Sequence, residues 1–189
     1  MDPVRICNIA LGHIGQLPIA SLDGTGTAEQ LCAALYPALR DVVLEAKDWT
    51  WATGRFNLDP VLPAPAWGYS TAFEIPEGAL LLREVRDSAG RVEFYAREGR
   101  RVLCDSAGPL YVRCIMRVED ADLFSPGFVY ALSLLLAAEL TGPLTENLQR
   151  AEEFRRGYDR ALVTAGANDG MQTTPVQKRT VSRLARARY

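Results

Sequence analysis

"SPGFVYALSLLLAAELTGPL", residues 125–144, is the most apolar stretch of the chain, and it dictates how the rest must be arranged. Ser125 followed by Pro126 is a helix start: the serine hydroxyl can accept from a free amide of the first turn, and proline at the first helical position gives up an N–H that has no partner there. Gly142 and Pro143 read as the stop. The polar residues between them are too few to make a wet face, so this helix needs apolar cover on most sides. The run 128–140 is too short to cross a bilayer, which leaves protein as the expected cover.

That cover must come from both ends of the chain. Downstream, Thr145 reads as the cap of a last helix in which Leu148, Ala151, Phe154, Tyr158, Leu162 and Ala165 share a face, while Glu152, Glu153, Arg155, Arg156 and Arg160 lie elsewhere. Upstream, Asp2-Pro3 repeats the cap-plus-proline start, Val4, Cys7, Leu11 and Ile14 form one stripe, and Gly15 and Pro18 close the first helix. Thr27 with Gln30 has the capping-box pattern for a second helix, whose stripe is Leu31, Leu35, Leu39, Val42 and Ala46. Pro37 should kink that helix or displace its start.

Between the two helical halves the period changes. "DPVLPAPAW", residues 59–67, holds three prolines and reads as an extended connection. "STAFEIP", "LLLREVRD", "GRVEFYARE", "RRVLCD" and "LYVRCIMRV" are then β-favourable runs separated by turn residues. The expected fold is α+β: a four-helix-type bundle formed by residues 1–58 and 125–169, an antiparallel β-meander inserted at 59–124, and an extended basic arm at 170–189.

Composition fits an ordinary globular body, with 48% apolar and 23% charged residues, and argues against disorder and collagen-like classes. The net charge of −2 hides an asymmetry. Five of the 21 basic residues (Lys178, Arg179, Arg183, Arg186, Arg188) fall after Gly170 with no acidic residue, which leaves residues 1–169 with 16 basic against 23 acidic, a formal −7. Cysteines 7, 32, 104 and 114 lack C-x-x-C spacing and the single histidine completes no zinc set, so buried thiols in a reducing compartment are expected. No secretory leader pattern opens the chain, and cytoplasmic synthesis is the expectation.

No catalytic constellation emerges. His13 has no nucleophile motif around it and reads as a helix-end residue, "DGTGT" lacks the lysine of a phosphate loop, and Glu152-Glu153, like Glu119-Asp120, fits a solvated surface better than a metal or acid–base pair. No enzyme, cofactor or metal is therefore expected. Trp49 and Trp51 are the conspicuous pair: two residues apart they cannot share a helical face, so one ring is expected in the bundle and the other against a second element or subunit. The tail "VQKRTVSRLARARY" admits three readings, a solvated end, a nucleic-acid contact or a segment that orders on a protein.

The order of motifs resembles the tail tubular protein A family, the head-to-tail adaptors of short-tailed phages, with relatives in other tailed phages. The resemblance covers roughly residues 4–169 and is carried by "ICNIALGHIGQLPIASLDG", Arg40-Asp41, the run Trp49-x-Trp51-Ala52-x-x-Arg55, Trp67-x-Tyr69, Ile75-Pro76, the "DAD…F…F" lead into residues 131–145, and "AEEFRRGYDRAL". Trp51 departs from a position more often phenylalanine, and Ser70–Phe73 is a loose version of the family's tyrosine-rich strand. The resemblance implies a dodecameric ring joining the portal protein to the tail nozzle protein at the virion's head–tail junction, made in the host bacterial cytoplasm, without contact to membrane. Genomic DNA would pass through its channel without sequence-specific binding.

On that footing Asp41, Trp49, Trp51, Arg55, Trp67 and Tyr69 are expected at a stiff junction between bundle and insertion. Lys178, Arg179, Val181, Arg183, Leu184, Arg186, Arg188 and Tyr189 are expected to dock on the portal. An acidic body that repels its own copies should stay monomeric until the portal gathers it, and acidic residues lining the channel would let DNA slide. The alternative is a double-stranded DNA-binding protein acting through the basic tail.

Overall fold

The computed structural model describes residues 1–91 and 93–172. It is a mixed α+β fold with four α-helices and two antiparallel sheets among the described residues. The helices are α1 (Pro3–His13), α2 (Thr27–Glu45), α3 (Pro126–Thr145) and α4 (Leu148–Gly170). The strands are β1 (Thr53–Leu58), β2 (Pro60–Val61), β3 (Thr71–Glu74), β4 (Ala79–Arg86), β5 (Ala96–Glu98), β6 (Arg101–Cys104) and β7 (Leu110–Met116).

α3 is the axis of the helical part and packs on α1, α2 and α4. Its start is as the sequence implies: the Ser125 hydroxyl accepts from the Phe128 amide at 3.3 Å. Its end is later. Pro143 is accommodated in the last turn, and the helix closes at Thr145 with Glu146 left-handed at φ 56° and its amide on the Gly142 carbonyl. The resulting helix is long and apolar enough to cross a membrane by length and composition, yet most of its side chains are buried by the other three helices.

Other helix ends and faces also differ from the expectation. Asn147, not Thr145, caps α4, accepting from the Arg150 amide at 3.1 Å, while the Thr145 hydroxyl donates to the Thr141 carbonyl inside α3. Gly26 rather than Thr27 precedes α2, and no side chain caps it. Pro37 lies inside α2 without marking its start. The buried line of α2 is Cys32, Tyr36, Arg40, Val43 and Leu44, displaced around the helix from the expected stripe, of which Val42 is half exposed. In α4 the expected face is buried or half-buried except Leu148, which is exposed.

The strands divide over two sheets, ordered β1-β7-β4 and β2-β3-β6-β5. A meander pairs each strand with the next; here only β2 with β3 and β5 with β6 do so, and β4 and β1 both pair with the late strand β7. The β-structure also begins at Thr53, before the proline-rich connection, because "TGRFNL" pairs along its length with β7 from Thr53 opposite Ile115 to Leu58 opposite Leu110. Two apolar clusters result. One joins the helices to Ile115, Leu80 and Leu81; the other, centred on Phe73, Val85, Val102, Leu110 and Val112, lies among the strands.

Candidate functional site: the seam between helices and sheet

The segment after α2 turns the chain from helix into sheet within a few residues, and a single 3-10 turn, Thr50–Ala52, makes the corner. Trp49 enters it with extended backbone and is fully buried. Its indole N–H donates to the Val43 carbonyl at 2.9 Å, one of the last α2 carbonyls, which have no partner within the helix. The Trp49 carbonyl in turn accepts from the Thr53 hydroxyl at 2.7 Å, so one residue ties the end of α2 to the start of β1.

The two tryptophans do not diverge as the sequence reading expects. Their ring centroids are 5.9 Å apart, and both meet Phe128 edge-on, at 5.2 Å from Trp49 and 5.0 Å from Trp51. Phe124 completes the cluster at 5.4 Å from Trp51 and 4.7 Å from Phe128. The helical-face argument fails because Trp49 and Trp51 straddle an extended residue and a 3-10 turn, where side-chain directions follow neither the helical nor the strand period.

Polar contacts surround this aromatic plug. Asp41 accepts from Arg40 at 2.9 Å and from Arg117, just past β7, at 2.8 Å, linking α2 to the sheet. Asp48 pairs with Arg83 of β4 and lies 3.8 Å from Arg113 of β7. From the other side Asp169, buried at 3% exposure, accepts the Thr50 amide at 2.6 Å and the Thr50 hydroxyl at 2.9 Å. Sequence reasoning missed Asp169 because "GANDG" reads as a fading helix end; a lone acid in an otherwise neutral last turn is the signal that was there.

Three expected junction residues stand elsewhere. Trp67 is 87% exposed and lines a surface hollow with Tyr69, Glu98, Arg101 and Leu103, so neither it nor Tyr69 pins the seam. Both lie on the proline-rich connection between β2 and β3, against Ala72 and Leu103 of the second sheet rather than at the aromatic plug. Arg55 is exposed on β1, opposite Arg113 in register, and is no partner of Asp41. The tail residues Lys178, Arg179, Val181, Arg183, Leu184, Arg186, Arg188 and Tyr189 lie outside the described residues.

His13 ends α1 as expected, but is not merely a surface residue. Its Nε2 is buried without a hydrogen-bond partner, and its ring sits 6.3 Å from Tyr130 and 6.0 Å from Phe154. Burial lowers its pKa from the ordinary 6.5, so the folded protein resists the proton that the unfolded chain takes up. Stability from this site is therefore full at neutral pH and falls as pH drops through 6.5. The expected outcome is that His13→Gln flattens this part of the pH profile: urea midpoints measured at about pH 7.5 and about pH 5.5 should separate less in the variant than in the parent.

All four cysteines are buried and free. Burial pushes Cys114 up to about 11, and Cys7 lies above the ordinary thiol range because of its hydrogen bond with Cys32 and its burial, which makes these thiols poor nucleophiles. Among the described residues no group of three or more His, Cys, Asp or Glu side chains could hold a metal ion. Compared with protein-family models and with curated proteins, the chain gives no match.

Proposed function

We propose that the chain is a structural head-to-tail adaptor of a tailed phage, a non-enzymatic subunit of a dodecameric ring between the portal protein and the tail nozzle protein, through which genomic DNA passes. In this reading residues 1–52 and 125–169 act as a helical bundle, 53–124 as a β-rich insertion that meets neighbours, and 170–189 as an arm for the portal. The order of sequence motifs supports it. The single structural observation behind it is the exposure of Trp67: an 87% exposed indole, in a β-rich region that also exposes Leu62 at 88% and Phe94 at 92%, is surface made for contact with protein rather than for a core.

A ring also needs each subunit to hold its helices and strands in one relative orientation if the repeat is to close. The Trp49–Trp51–Phe124–Phe128 plug and the Asp41–Arg117 and Asp48–Arg83 pairs supply that stiffness.

Electron microscopy of the purified chain mixed with its phage's portal tests the reading. Rings seated on the portal are expected, whereas free monomers beside bare portals overturn it. Trp67→Ala should change the unfolding free energy by no more than about 0.5 kcal/mol, as for other surface substitutions, while lowering ring occupancy on the portal about tenfold or more, as loss of an aromatic anchor does. Tight binding of duplex DNA by the isolated chain, weakening steeply with salt, would instead favour the DNA-binding alternative.

A further inference from the structure

Three arginines from separate segments of the β-region meet around one small hollow. Arg97 of β5, Arg100 of the turn after it and Arg117 just past β7 line a space of about 180 Å³ with Ile75, Ala79 and Leu80, and no carboxylate lines it. The backbone fixes where these side chains start. The Ile75 amide donates to the Arg100 carbonyl at 2.8 Å, the Arg117 amide to the Gly78 carbonyl at 2.7 Å, and the Ala79 amide to the Pro76 carbonyl at 3.1 Å. Gly78, at φ 77°, makes the turn on which the other two segments are hung.

Two of the guanidiniums are already aimed. Arg97 donates from Nη1 to the Leu80 carbonyl at 2.8 Å, and Arg117 donates from Nε to Asp41 at 2.8 Å. Each keeps further donors, because a guanidinium carries five N–H groups. Asp41 is shared, its other oxygen accepting from Arg40 at 2.9 Å, so it offsets Arg117 only in part. Arg97 and Arg100 have no carboxylate partner among the described residues. Glu98 and Arg101 face the Trp67 hollow instead, and Glu77 is exposed on its turn outside the lining. The lining groups and those bonded to them are thus four guanidiniums against one carboxylate, a formal +3, in a body whose 16 basic and 23 acidic residues sum to −7. Such charges repel across the hollow until an anion enters it.

We infer that this hollow binds a phosphate group as its dianion, either free phosphate or a terminal phosphomonoester. A carboxylate has two oxygens, which one bidentate fork satisfies; phosphate offers acceptors to forks arriving from three segments at once. The volume admits the phosphate head and leaves whatever is esterified to it outside. A phosphodiester has only two free oxygens and a single charge, so a nucleic-acid backbone is the poorer fit. Bound phosphate bridges the second sheet, through Arg97 and Arg100, to the end of the first, through Arg117. The site is complete within one chain and stands or falls apart from the adaptor reading.

Titration of the ¹⁵N-labelled full chain with inorganic phosphate, at constant ionic strength and about pH 8 where the dianion dominates, tests the assignment. Saturable shifts are expected at amides of residues 75–80, 97–101 and 117, with a Kd of about 1 mM or below. Arg100→Ala, at an exposed position without an ion pair, should weaken binding about tenfold or more while the rest of the spectrum is unchanged, and Arg100→Lys should recover only part of that loss because the fork is gone. Acetate should bind about tenfold more weakly than phosphate. Methyl phosphate separates the two sources: shifts equal to those of phosphate mean that an ester is accepted, and their absence means that the hollow closes on the free ion. No saturable shift up to about 20 mM phosphate overturns the inference, as does unchanged affinity in Arg100→Ala. Duplex DNA that moves the same amides at a lower phosphate concentration overturns it too, because the site then reads a diester.

Discussion

Replacing Trp49 by alanine is expected to lower the unfolding free energy by about 3–5 kcal/mol, the cost of deleting a large aromatic from a packed core. Trp49 is fully buried, stacks edge-on against Phe128 and lies beside Trp51, so removing it opens a cavity lined by rings that cannot collapse into it without leaving their own contacts. It also removes the indole N–H that the Val43 carbonyl accepts at the end of α2. Trp49→Phe separates the two contributions. It keeps most of the ring area, loses the N–H, and should cost about 1–3 kcal/mol for the unsatisfied carbonyl plus a small packing loss. Chemical denaturation followed by circular dichroism measures both. A loss below about 1 kcal/mol for the alanine variant would show that the corner is not held by this side chain. Trp67→Ala, in the same assay, is the matched control: same residue type, opposite burial.

That contrast also shows what could be read from the sequence and what could not. Composition and motif order single out all three tryptophans equally, because a tryptophan is as useful in a core as at an interface. Only the chain's path distinguishes them. Trp49 follows directly on the end of α2 and is drawn into the helical core, whereas Trp67 sits among prolines whose missing amides keep the segment out of regular sheet. The helices were legible because cap-plus-proline starts at Asp2-Pro3 and Ser125-Pro126 are local chemistry, written within three residues. The late end of α3 was not, since whether Pro143 stops a helix or rides in its last turn depends on what packs around the turn.

The β-runs show the same division. Alternation and turn residues place β3, β4, β6 and β7 within a residue or two of where they lie. They carry no information on which strand neighbours which, and the pairing of β7 with both β1 and β4 is a long-range choice made by burial. β1 itself was hidden for a related reason. "TGRFNL" holds a glycine, an arginine and an asparagine, poor strand formers, and becomes a strand because β7 offers it an edge. Arg40-Asp41 stands out in the motif, but the cross-element partner of Asp41, Arg117, is 76 positions away and carries no local signal.

Asp169 is where the structure adds most to the sequence reading, and its removal should have the second large effect. Asp169→Ala is expected to destabilise the fold by about 2–3 kcal/mol, since hydrogen bonds to a charged group contribute about 1.5–3 kcal/mol and this carboxylate makes two. One bond goes to the Thr50 amide, the first of the 3-10 turn, which no other group accepts; the other goes to the Thr50 hydroxyl. The loss is also positional. Asp169 is the tie between the last turn of α4 and the corner that carries Trp49 and Trp51, so without it the end of α4 should fray first. Hydrogen exchange should then quicken at residues 165–170 before it quickens in α3. Thr50→Ala removes only the hydroxyl bond, and a double-mutant cycle between the two positions should give a coupling of about 1 kcal/mol. Additive losses, with α4 exchange unchanged in Asp169→Ala, would mean that α4 is held by its apolar face on α3 alone and that the carboxylate merely fills a polar niche.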